Sequence, residues 1–284
     1  MDRNITVCAT DLAVITGHNP YKTKDEIILK YWQRHFKSSY DDCLERMKSK
    51  KIKLKKDETD YDTIKRIIKD NNITIGSELA NCLKSNNVGE LNKHKETILK
   101  SVNSKLNLKS KEEFKKSFNS FANTNFGVKN ENKGIQLYES TTNNKVLKDT
   151  KFYKTELFQI QNEYDKVDTW LIGGKIDGIM LPENTVIEIK NRVKNLFYTV
   201  RDYEKIQCYC YMFLLESNTT ELVEVLKQHN NNDINIIKIA FDEEFWESQI
   251  MLKLEEFIAD FYIFLEDPKR QINLLKLNNI KSNY

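Results

Sequence analysis

The sequence predicts a mixed α/β protein. Eight glycines and three prolines among 284 residues are few, which favours long helices over the many tight turns of an all-β sandwich. Two apolar runs with strand character, Trp170 to Leu181 and Val186 to Lys190, are separated by the turn residues Pro182-Glu183-Asn184. The hydrophobic content of 39% is ordinary for a chain that buries one large core or two small ones.

Charge and cysteine content exclude several classes of protein. The formal net charge is only +3, so any nucleic-acid surface must be local rather than global. The five cysteines contain no Cys-x-x-Cys pair, which argues against disulfides and against a zinc or iron-sulfur centre. No apolar run approaches the roughly 18 to 20 residues of a membrane span. We therefore expect an intracellular protein that is neither secreted nor membrane-bound.

The N-terminal residues predict two helices. Thr10 is placed to cap a short helix that Gly17 ends. Thr23 and Glu26 have the spacing of a capping box for a second helix, which would run to about Phe36.

A helix that begins at Thr10 also suggests an anion site. Backbone N–H groups, the Thr10 hydroxyl and the guanidinium of Arg3 would together suit a phosphate. The alternative is simple capping without a ligand, because most threonine caps bind nothing.

A Lys-rich region separates the two ends of the chain. Between Leu44 and Lys116 there are 19 Lys and Arg against 11 Asp and Glu, a local charge of +8, and the run from Lys48 to Lys56 is nearly all cationic. We predict residues 1–43 as an N-terminal helical part, 44–120 as a helical Lys-rich insertion, and 121–284 as the core of a single domain. The insertion either contacts DNA backbone or is a solvated face.

A helix is predicted from Phe126 to about Thr141. Val128, Ile135 and Tyr138 recur at helical spacing, and Glu131 lies on the same stripe. An acid on a buried face needs a partner, so Glu131 is either a metal ligand or a salt-bridged core glutamate.

The remaining elements follow from periodicity and breaker residues. Gln207 lies beside the apolar face of the helix predicted at Tyr198 to Glu216. It would contact a metal-bound water or substrate phosphate, or serve as a satisfied structural amide with Tyr211 one turn on. The other predictions are a strand at Phe152 to Asn162, a loop at Ser217 to Asp233 with a helical turn around Leu222 to Leu226, and an internal strand at Ile234 to Phe241. A long helix is predicted at Glu243 to Leu265, which Pro268 stops before a loose tail.

Three charges interrupt the predicted hairpin between Gly173 and Arg192. Glu188 and Lys190 are two residues apart, so a strand places both side chains on one face, and Asp177 lies in the preceding strand. Charges inside buried strands are tolerated when they are paired or hold a metal. Carboxylate oxygens without His or Cys select Mg²⁺ or Mn²⁺. In this interpretation Asp177, Glu188 and Glu131 hold the metal with the Ile189 carbonyl, and Lys190 orients water for phosphodiester hydrolysis.

These residues resemble a known family. Asp177, ten intervening residues and Glu188-Ile189-Lys190 resemble the PD-(D/E)xK nuclease motif, with Ile176 where the family often has Pro. The flanking sequences are similar to the YqaJ-like viral recombinase and phage lambda exonuclease family in three places: Ala9 to Lys22 to its opening motif, Gly127-x-x-x-Glu131 with Leu137-Tyr138-Glu139 to its metal-binding helix, and Gln207 to its glutamine-bearing helix.

The resemblance implies a fold and an activity. The fold would be a restriction-endonuclease-like α/β/α core with a mixed central sheet and residues 44–120 as an insertion. The activity would be a Mg²⁺-dependent (or Mn²⁺-dependent) deoxyribonuclease, an exonuclease that degrades linear double-stranded DNA from 5′ to 3′ in recombination or DNA-end processing. Asp177, Glu188, Lys190, Glu131 and Gln207 would be catalytic, and Arg3 and Thr10 would hold the 5′-phosphate.

The resemblance also implies partners. These are double-stranded DNA ends, a single-strand annealing protein, and two further copies of the chain in a ring-shaped trimer.

The Lys- and Asn-rich composition suits an AT-rich genome such as that of a large DNA virus, which would place the protein in the cytoplasm or nucleus of the host cell. Two alternatives remain: a structure- or sequence-specific endonuclease on the same fold, and a nuclease-like DNA-binding protein without turnover.

Overall fold

The predicted mixed α/β class is confirmed by a computed structural model that describes residues 2–49, 58–161, 167–228 and 231–281. The helices are α1 (Ala9–Ile15), α2 (Lys24–His35), α3 (Lys37–Ser49), α4 (Asp60–Asp70), α5 (Gly76–Lys84), α6 (Val88–Asn103), α7 (Leu108–Thr142), α8 (Asp202–Leu214), α9 (Glu243–Phe245), which continues through a π-helical segment (Trp246–Met251) into α10 (Leu252–Glu266), and α11 (Pro268–Lys281). The strands are β1 (Arg3–Cys8), β2 (Val146–Leu147), β3 (Phe152–Gln161), β4 (Val167–Lys175), β5 (Gly178–Met180), β6 (Thr185–Asn191), β7 (Thr219–Lys227) and β8 (Asn232–Ala240).

The strands form two sheets, and the chain passes between them more than once. The smaller sheet has the order β1-β4-β3, with β1 parallel and β3 antiparallel to β4. The larger has the order β2-β5-β6-β7-β8, in which β6 and β7 are parallel and the other pairs are antiparallel. Ile176 and Asp177 carry the chain from β4 in one sheet to β5 in the other. Asp177 therefore lies at the junction of the two sheets.

Strand β6 has two different faces, as its sequence predicts. Ile187 and Ile189 pack with Ile135 and Tyr138 of α7, whereas Val186 belongs to the main core, which α1, α2, α8 and α10 also line. The larger sheet is thus covered by helices on both sides, and Glu188 and Lys190 point away from α7 because they alternate with the isoleucines.

Helix α7 lies very close to the sheet. A Cβ atom built on Gly134 would be 2.5 Å from Cγ2 of Ile189. Glycine at this position lets the helix backbone approach β6, which brings the preceding turn of α7 to the edge of that strand.

The helices between residues 58 and 126 form a second hydrophobic cluster, to which Leu196 and, from β7, Leu226 also belong. It includes Ile64 of α4, Ile98 of α6, and Phe114 and Phe118 of α7, all fully buried. Helix α3 spans the boundary predicted at residue 44 and α7 spans the one at residue 120, so the division of the chain stays a prediction. Residues 50–56 of the cationic run lie outside the described residues.

The prediction of a loop at Ser217 to Asp233 is wrong. Strand β7 (Thr219–Lys227) occupies most of this range and is the buried neighbour of β6. Glu221 and Glu224 interrupt the apolar run, and Glu224 is nevertheless fully buried because Arg192 neutralises it. The strand at Ile234 to Phe241 exists as β8, but it lies at the sheet edge and not inside, since β7 takes the internal position.

Several element boundaries also differ from the predictions. The run from Trp170 to Leu181 is two strands, and β1 was not anticipated. Helix α7 begins at Leu108 rather than Phe126, and it ends at Thr142, close to the predicted end. Pro268 ends α10 but also starts α11, because proline is well tolerated in the first turn of a helix. The prediction of a loose tail is therefore wrong as far as Lys281, where α11 ends.

The N-terminal helices form without the predicted caps. Helix α2 follows Thr23 as expected, yet the Thr23 side chain makes no capping hydrogen bond, so the capping box with Glu26 is absent. Helix α1 follows Cys8, and Thr10 lies within its first turn rather than at its cap. Gly17 has φ +80° just beyond the helix, the left-handed conformation expected of a residue that ends one.

Within the described ranges, no helix has the length and apolar character needed to cross a membrane. The described cysteines, Cys8, Cys43, Cys82, Cys208 and Cys210, are all unpaired.

Candidate active site

A cleft of about 660 Å³ opens where α1, α7, β6 and α8 meet at the junction of the two sheets. It brings together side chains that are far apart in sequence. Its polar and charged lining residues are Thr10, Thr124, Glu131, Lys175, Asp177, Glu188, Lys190, Asn191, Arg192, Gln207 and Tyr211. All of the predicted site residues except Arg3 therefore line one cavity, and Ile189 lines it as well.

A chain of hydrogen bonds fixes the lysine of β6. Lys190 Nζ donates to Glu188 Oε1 at 2.7 Å and to Gln207 Oε1 at 2.9 Å. Gln207 Nε2 in turn donates to the Tyr211 hydroxyl at 2.7 Å. The carboxylate and the ammonium group share the face of β6 that the alternation predicts, and α8 supplies the amide that holds the ammonium group in place. Gln207 thus acts on the lysine directly.

Asp177 is held by the backbone of the neighbouring strand. The Ile189 N–H donates to Asp177 Oδ2 at 2.8 Å. The pairing of β5 with β6 begins one residue later, at Gly178 opposite Ile187. The carboxylate therefore takes the place of a backbone carbonyl where the ladder ends, and this orients it beside Glu188 and Lys190.

Glu131 reaches the cleft from α7, where it is half-buried. The sequence left open whether it faces a ligand site or a core ion pair. It lines the cavity, and among the described residues it forms no ion pair. Asn191 Nδ2 donates to the Gly127 carbonyl at 3.0 Å, which ties the end of β6 to this part of α7.

The three carboxylates are in an environment that disfavours their charge. Burial and the nearby Asp177 and Glu131 raise the pKa of Glu188 to about 7, against the attraction of Lys190. Burial also raises the pKa of Asp177, and burial together with Asp177 raises the pKa of Glu131. Clustered carboxylates of this kind bind protons more tightly unless a cation is present to compensate their charge.

The environment of Lys190, in contrast, favours the charged form of its side chain. Burial opposes its charge, but the adjacent Glu188 carboxylate raises the pKa of Lys190 above its usual value. The amine is therefore an ammonium group at neutral pH in this arrangement. It can donate hydrogen bonds, and it is not a base.

The donor atoms suit a hard cation. Carboxylate oxygens and the Ile189 carbonyl are typical ligands of Mg²⁺ or Mn²⁺, and neither His nor Cys lines the cleft within the described part of the chain. No group of three His, Cys, Asp or Glu side chains in the described ranges is arranged as a preformed metal centre. Glu188 Oε1 is bound to Lys190 and Asp177 Oδ2 to a backbone N–H, so binding a metal would require these contacts to adjust.

The predicted phosphate anchor is only partly assembled. Thr10 is exposed and lines the cleft. Arg3 does not line the cleft. Its guanidinium group forms a salt bridge with the buried carboxylate of Asp168, with an N–O distance of 2.9 Å, and it lies over the Phe36 ring, 4.4 Å from the ring centroid. The reason is that β1 pairs with β4, which places Arg3 directly opposite Asp168.

The sequence did not identify Lys175 as a site residue, and it indicated Tyr211 only as a neighbour of Gln207 one helical turn on. Lys175, the last residue of β4, is exposed and lines the cleft. Its ammonium group provides there the positive charge that was expected from Arg3. Tyr211 reaches the cleft because Gly174 leaves room, since a Cβ atom at Gly174 would be 2.5 Å from Tyr211 Cε1. The pair Gly173-Gly174 inside a strand was the available signal for such a close approach.

A second buried charge cluster lies just beyond Lys190. Arg192 donates two hydrogen bonds to Glu204, at 2.6 and 2.9 Å, and one to Glu224 at 2.7 Å. Glu224 also accepts hydrogen bonds from the backbone N–H groups of Phe197 and Tyr198. This cluster pins the segment between β6 and α8.

Comparisons with known proteins find only distant likenesses. No family model matches the sequence, and no curated protein matches it. The fold is similar to the crystal structure of an alkaline exonuclease from Laribacter hongkongensis, with 12% sequence identity, a TM-score of 0.38, and coverage of 70% of this chain and 92% of that chain. It is also similar to a phage related exonuclease from Haemophilus somnus 129PT, with 16% identity, a TM-score of 0.35, and coverage of 54% and 72%. Likeness at this level assigns no activity to this chain.

Proposed function

We propose that the protein is a metal-dependent deoxyribonuclease that hydrolyses phosphodiester bonds at the cleft. The observation that carries the proposal is the meeting of Glu131, Asp177 and Glu188 with a fixed lysine, Lys190, in one cavity. Carboxylates whose charges repel one another are suited to a divalent cation, and an adjacent ammonium group is suited to a phosphate.

The residues of the chain would divide the work as follows. Glu131, Asp177, Glu188 and the Ile189 carbonyl hold Mg²⁺ or Mn²⁺. When bound, such an ion stabilises negative charge on phosphate oxygens and lowers the pKa of water. Lys190, positioned by Gln207, donates hydrogen bonds to the attacking water or to the developing charge on the phosphate. Thr10 and Lys175 contact the terminal phosphate of the substrate.

The preferred substrate is the end of linear double-stranded DNA, digested from 5′ to 3′. This finer assignment rests on the similarity of residues 9–22 to the opening motif of the YqaJ-like family and on the position of Thr10 at the cleft. A role in recombination or end processing, assembly as a trimer, a single-strand annealing partner and a viral origin belong to the same proposal.

The test is a comparison of three substrates. Linear duplexes with a 5′-phosphate or a 5′-hydroxyl, and a covalently closed circle, are incubated with Mg²⁺, Mn²⁺ or EDTA. We expect metal-dependent release of nucleotides from the 5′-phosphorylated duplex, slower release from the 5′-hydroxyl duplex, and an intact circle. Cleavage of the circle would establish an endonuclease instead.

Two variants make the test specific to the cleft. Lys190→Ala should abolish hydrolysis, because no other described ammonium group is bonded to Glu188. Glu183→Gln is the matched control, since Glu183 is exposed in the turn of the same hairpin and should leave the rate unchanged. Full activity of Lys190→Ala at saturating Mg²⁺, or DNA binding by the wild type without any turnover in either metal, would overturn the proposal.

A further inference from the structure

A second groove, of about 340 Å³, begins where the cleft ends. Its polar lining is Lys133, Gln136, Ser140, Asn191, Lys227 and Asn232, and we call it the basic groove. Asn191 lines both cavities. The groove and the cleft therefore adjoin at Asn191, the last residue of β6.

Topology places the groove at the edge of the sheet where ligands commonly bind. Strands β6 and β7 are parallel, and they end at Asn191 and Lys227. Strand β8 starts opposite Lys227, at Asn232. The groove thus lies at the carboxyl ends of two parallel strands, one residue beyond Lys190, with α7 as its second wall.

The charge of the groove differs from that of the cleft. The cleft contains three carboxylates, whereas no Asp or Glu is among the described residues that line the groove. Neither Lys133 nor Lys227 forms an ion pair with a carboxylate in the described part of the chain. The two amino groups are close together: burial, the charge of Lys133 and a side-chain contact with Lys133 lower the pKa of Lys227, and Lys129 acts in the same direction, whereas Glu90 raises it.

The lysines of α7 also connect the groove to the helical insertion. Lys133 Nζ donates to Asn86 Oδ1 at 3.0 Å, and Lys129 Nζ donates to the Ser85 carbonyl at 3.2 Å. Lys129 is accounted for structurally, because it satisfies carbonyl groups at the end of α5. Within the described part of the chain, Lys227 forms no hydrogen bond to a carbonyl or a carboxylate, and its repulsion with Lys133 costs stability. An anion in the groove would remove that cost.

We propose that the basic groove binds the phosphodiester backbone of a nucleic acid strand that continues beyond the cleft. Lys133 and Lys227 each neutralise a phosphate, and Gln136, Ser140 and Asn232 add neutral hydrogen bonds. The cleft would then hold the bond to be hydrolysed and the groove would hold the adjoining phosphates. This inference extends the proposed function, because it assigns the path of the same substrate.

The test measures binding without hydrolysis. Fluorescence anisotropy in EDTA gives the affinity for a labelled duplex and a labelled single strand between about 50 and 300 mM salt. Each phosphate neutralised contributes roughly 0.9 to the slope of log affinity against log salt for duplex DNA, and roughly 0.7 for a single strand. For Lys133→Gln/Lys227→Gln we expect the slope to fall by about 1.8 or about 1.4, and the affinity to fall roughly 10- to 30-fold.

Three comparisons keep the result specific. Lys269→Gln/Lys276→Gln removes two exposed lysines of α11 and should bind as the wild type does. Lys133→Arg/Lys227→Arg keeps the charges and should keep the slope. The glutamine double variant should melt at or above the wild-type temperature, because one repulsion is lost, so weaker binding would not reflect unfolding.

The outcomes separate the two proposals. A reduced slope on the duplex or on the single strand supports the groove and identifies which form occupies it. An unchanged slope on both overturns the groove even if the wild type hydrolyses DNA. A reduced slope in a protein that hydrolyses nothing in Mg²⁺ or Mn²⁺ overturns the proposed activity and leaves the groove standing.

Discussion

Two buried charge clusters on or next to β6 contain the same kinds of residue but differ in how completely they are satisfied. In the first, Glu188 and Lys190 face an open cleft with other carboxylates nearby, and the pKa of Glu188 is raised to about 7. In the second, Arg192 lines the same cleft but is bound by Glu204 and Glu224. Although burial opposes it, hydrogen bonds from Asn235, Tyr198 N–H and Arg192 lower the pKa of Glu224.

The difference favours the Glu188 cluster as the site of the proposed hydrolysis. Buried charges that are fully paired and hydrogen-bonded support the fold. Buried charges whose environment disfavours them, beside a cavity, are typical of sites that await a ligand. The Glu188 cluster and the Arg192 cluster are only two residues apart on the chain, so replacing one acid in each provides a direct comparison.

The largest effect is expected for Glu188→Gln. The loss of this carboxylate should reduce kcat for DNA hydrolysis at least roughly 10²- to 10³-fold, because charge stabilisation in the transition state is lost. The folded protein should be as stable as the wild type at pH 8 or more stable, since repulsion with Asp177 and Glu131 is removed. Steady-state kinetics and thermal melting measure the two quantities, and an active Glu188→Gln enzyme would contradict the assignment.

The second-largest effect is expected for Glu224→Gln, which should lower the stability of the protein rather than its activity. Glu224 is fully buried and accepts hydrogen bonds from Arg192, Phe197 N–H and Tyr198 N–H. The substitution leaves part of the Arg192 charge uncompensated, so the free energy of unfolding should fall by about 3 kcal/mol. Urea unfolding measures this loss. The rate per folded molecule should stay within about threefold of wild type, and a stable but inactive Glu224→Gln protein would show that both clusters serve catalysis.

The smallest expected effect is on the stability of the protein as pH and Mg²⁺ are varied. A raised Glu188 pKa means that the folded metal-free protein binds an additional proton between its unfolded value, 4.5, and about 7. Its stability therefore falls as pH rises through this window. Divalent cations bind the ionised carboxylate, so Mg²⁺ should stabilise the protein more at pH 8 than at pH 5.5.

The measurement is a melting temperature with and without Mg²⁺. At about 100 times the dissociation constant, binding contributes about 2.7 kcal/mol, which corresponds to a rise of roughly 5 °C at pH 8. The rise should be smaller at pH 5.5 and should largely vanish at both pH values in Glu188→Gln. Equal shifts at pH 5.5 and pH 8 would mean that Glu188 does not take part in metal binding.

Part of the fold could be predicted because its signals are local. The alternation of Val186 to Lys190 and the turn at Pro182 to Asn184 define β6 and its hairpin, and both are confirmed. Strand β7 could not be recognised, because Glu224 interrupts its apolar run and becomes tolerable only when Arg192 reaches it. The burial of that acid depends on a partner that is 32 residues away in sequence.

In the site, too, some residues could be predicted from local signals, whereas others depend on contacts between distant parts of the chain. Asp177, Glu188 and Lys190 could be selected because charges within apolar strands are conspicuous in a sequence. Arg3 was also selected, but the parallel pairing of β1 with β4 places it opposite Asp168. Lys175 was overlooked because nothing local distinguishes an exposed lysine that faces a cleft from one that faces solvent.

The sequence by itself determined the faces of β6, with Ile187 and Ile189 towards a core and Glu188 and Lys190 on the opposite side, because side chains alternate along any strand. Only the tertiary structure decided what each face meets. Glycine at position 134 allows α7 to approach Ile189, Gln207 of α8 takes the Lys190 ammonium group, and the basic groove forms where β6 and β7 end together. These contacts join residues far apart in the chain, and packing of the whole domain brings them within reach.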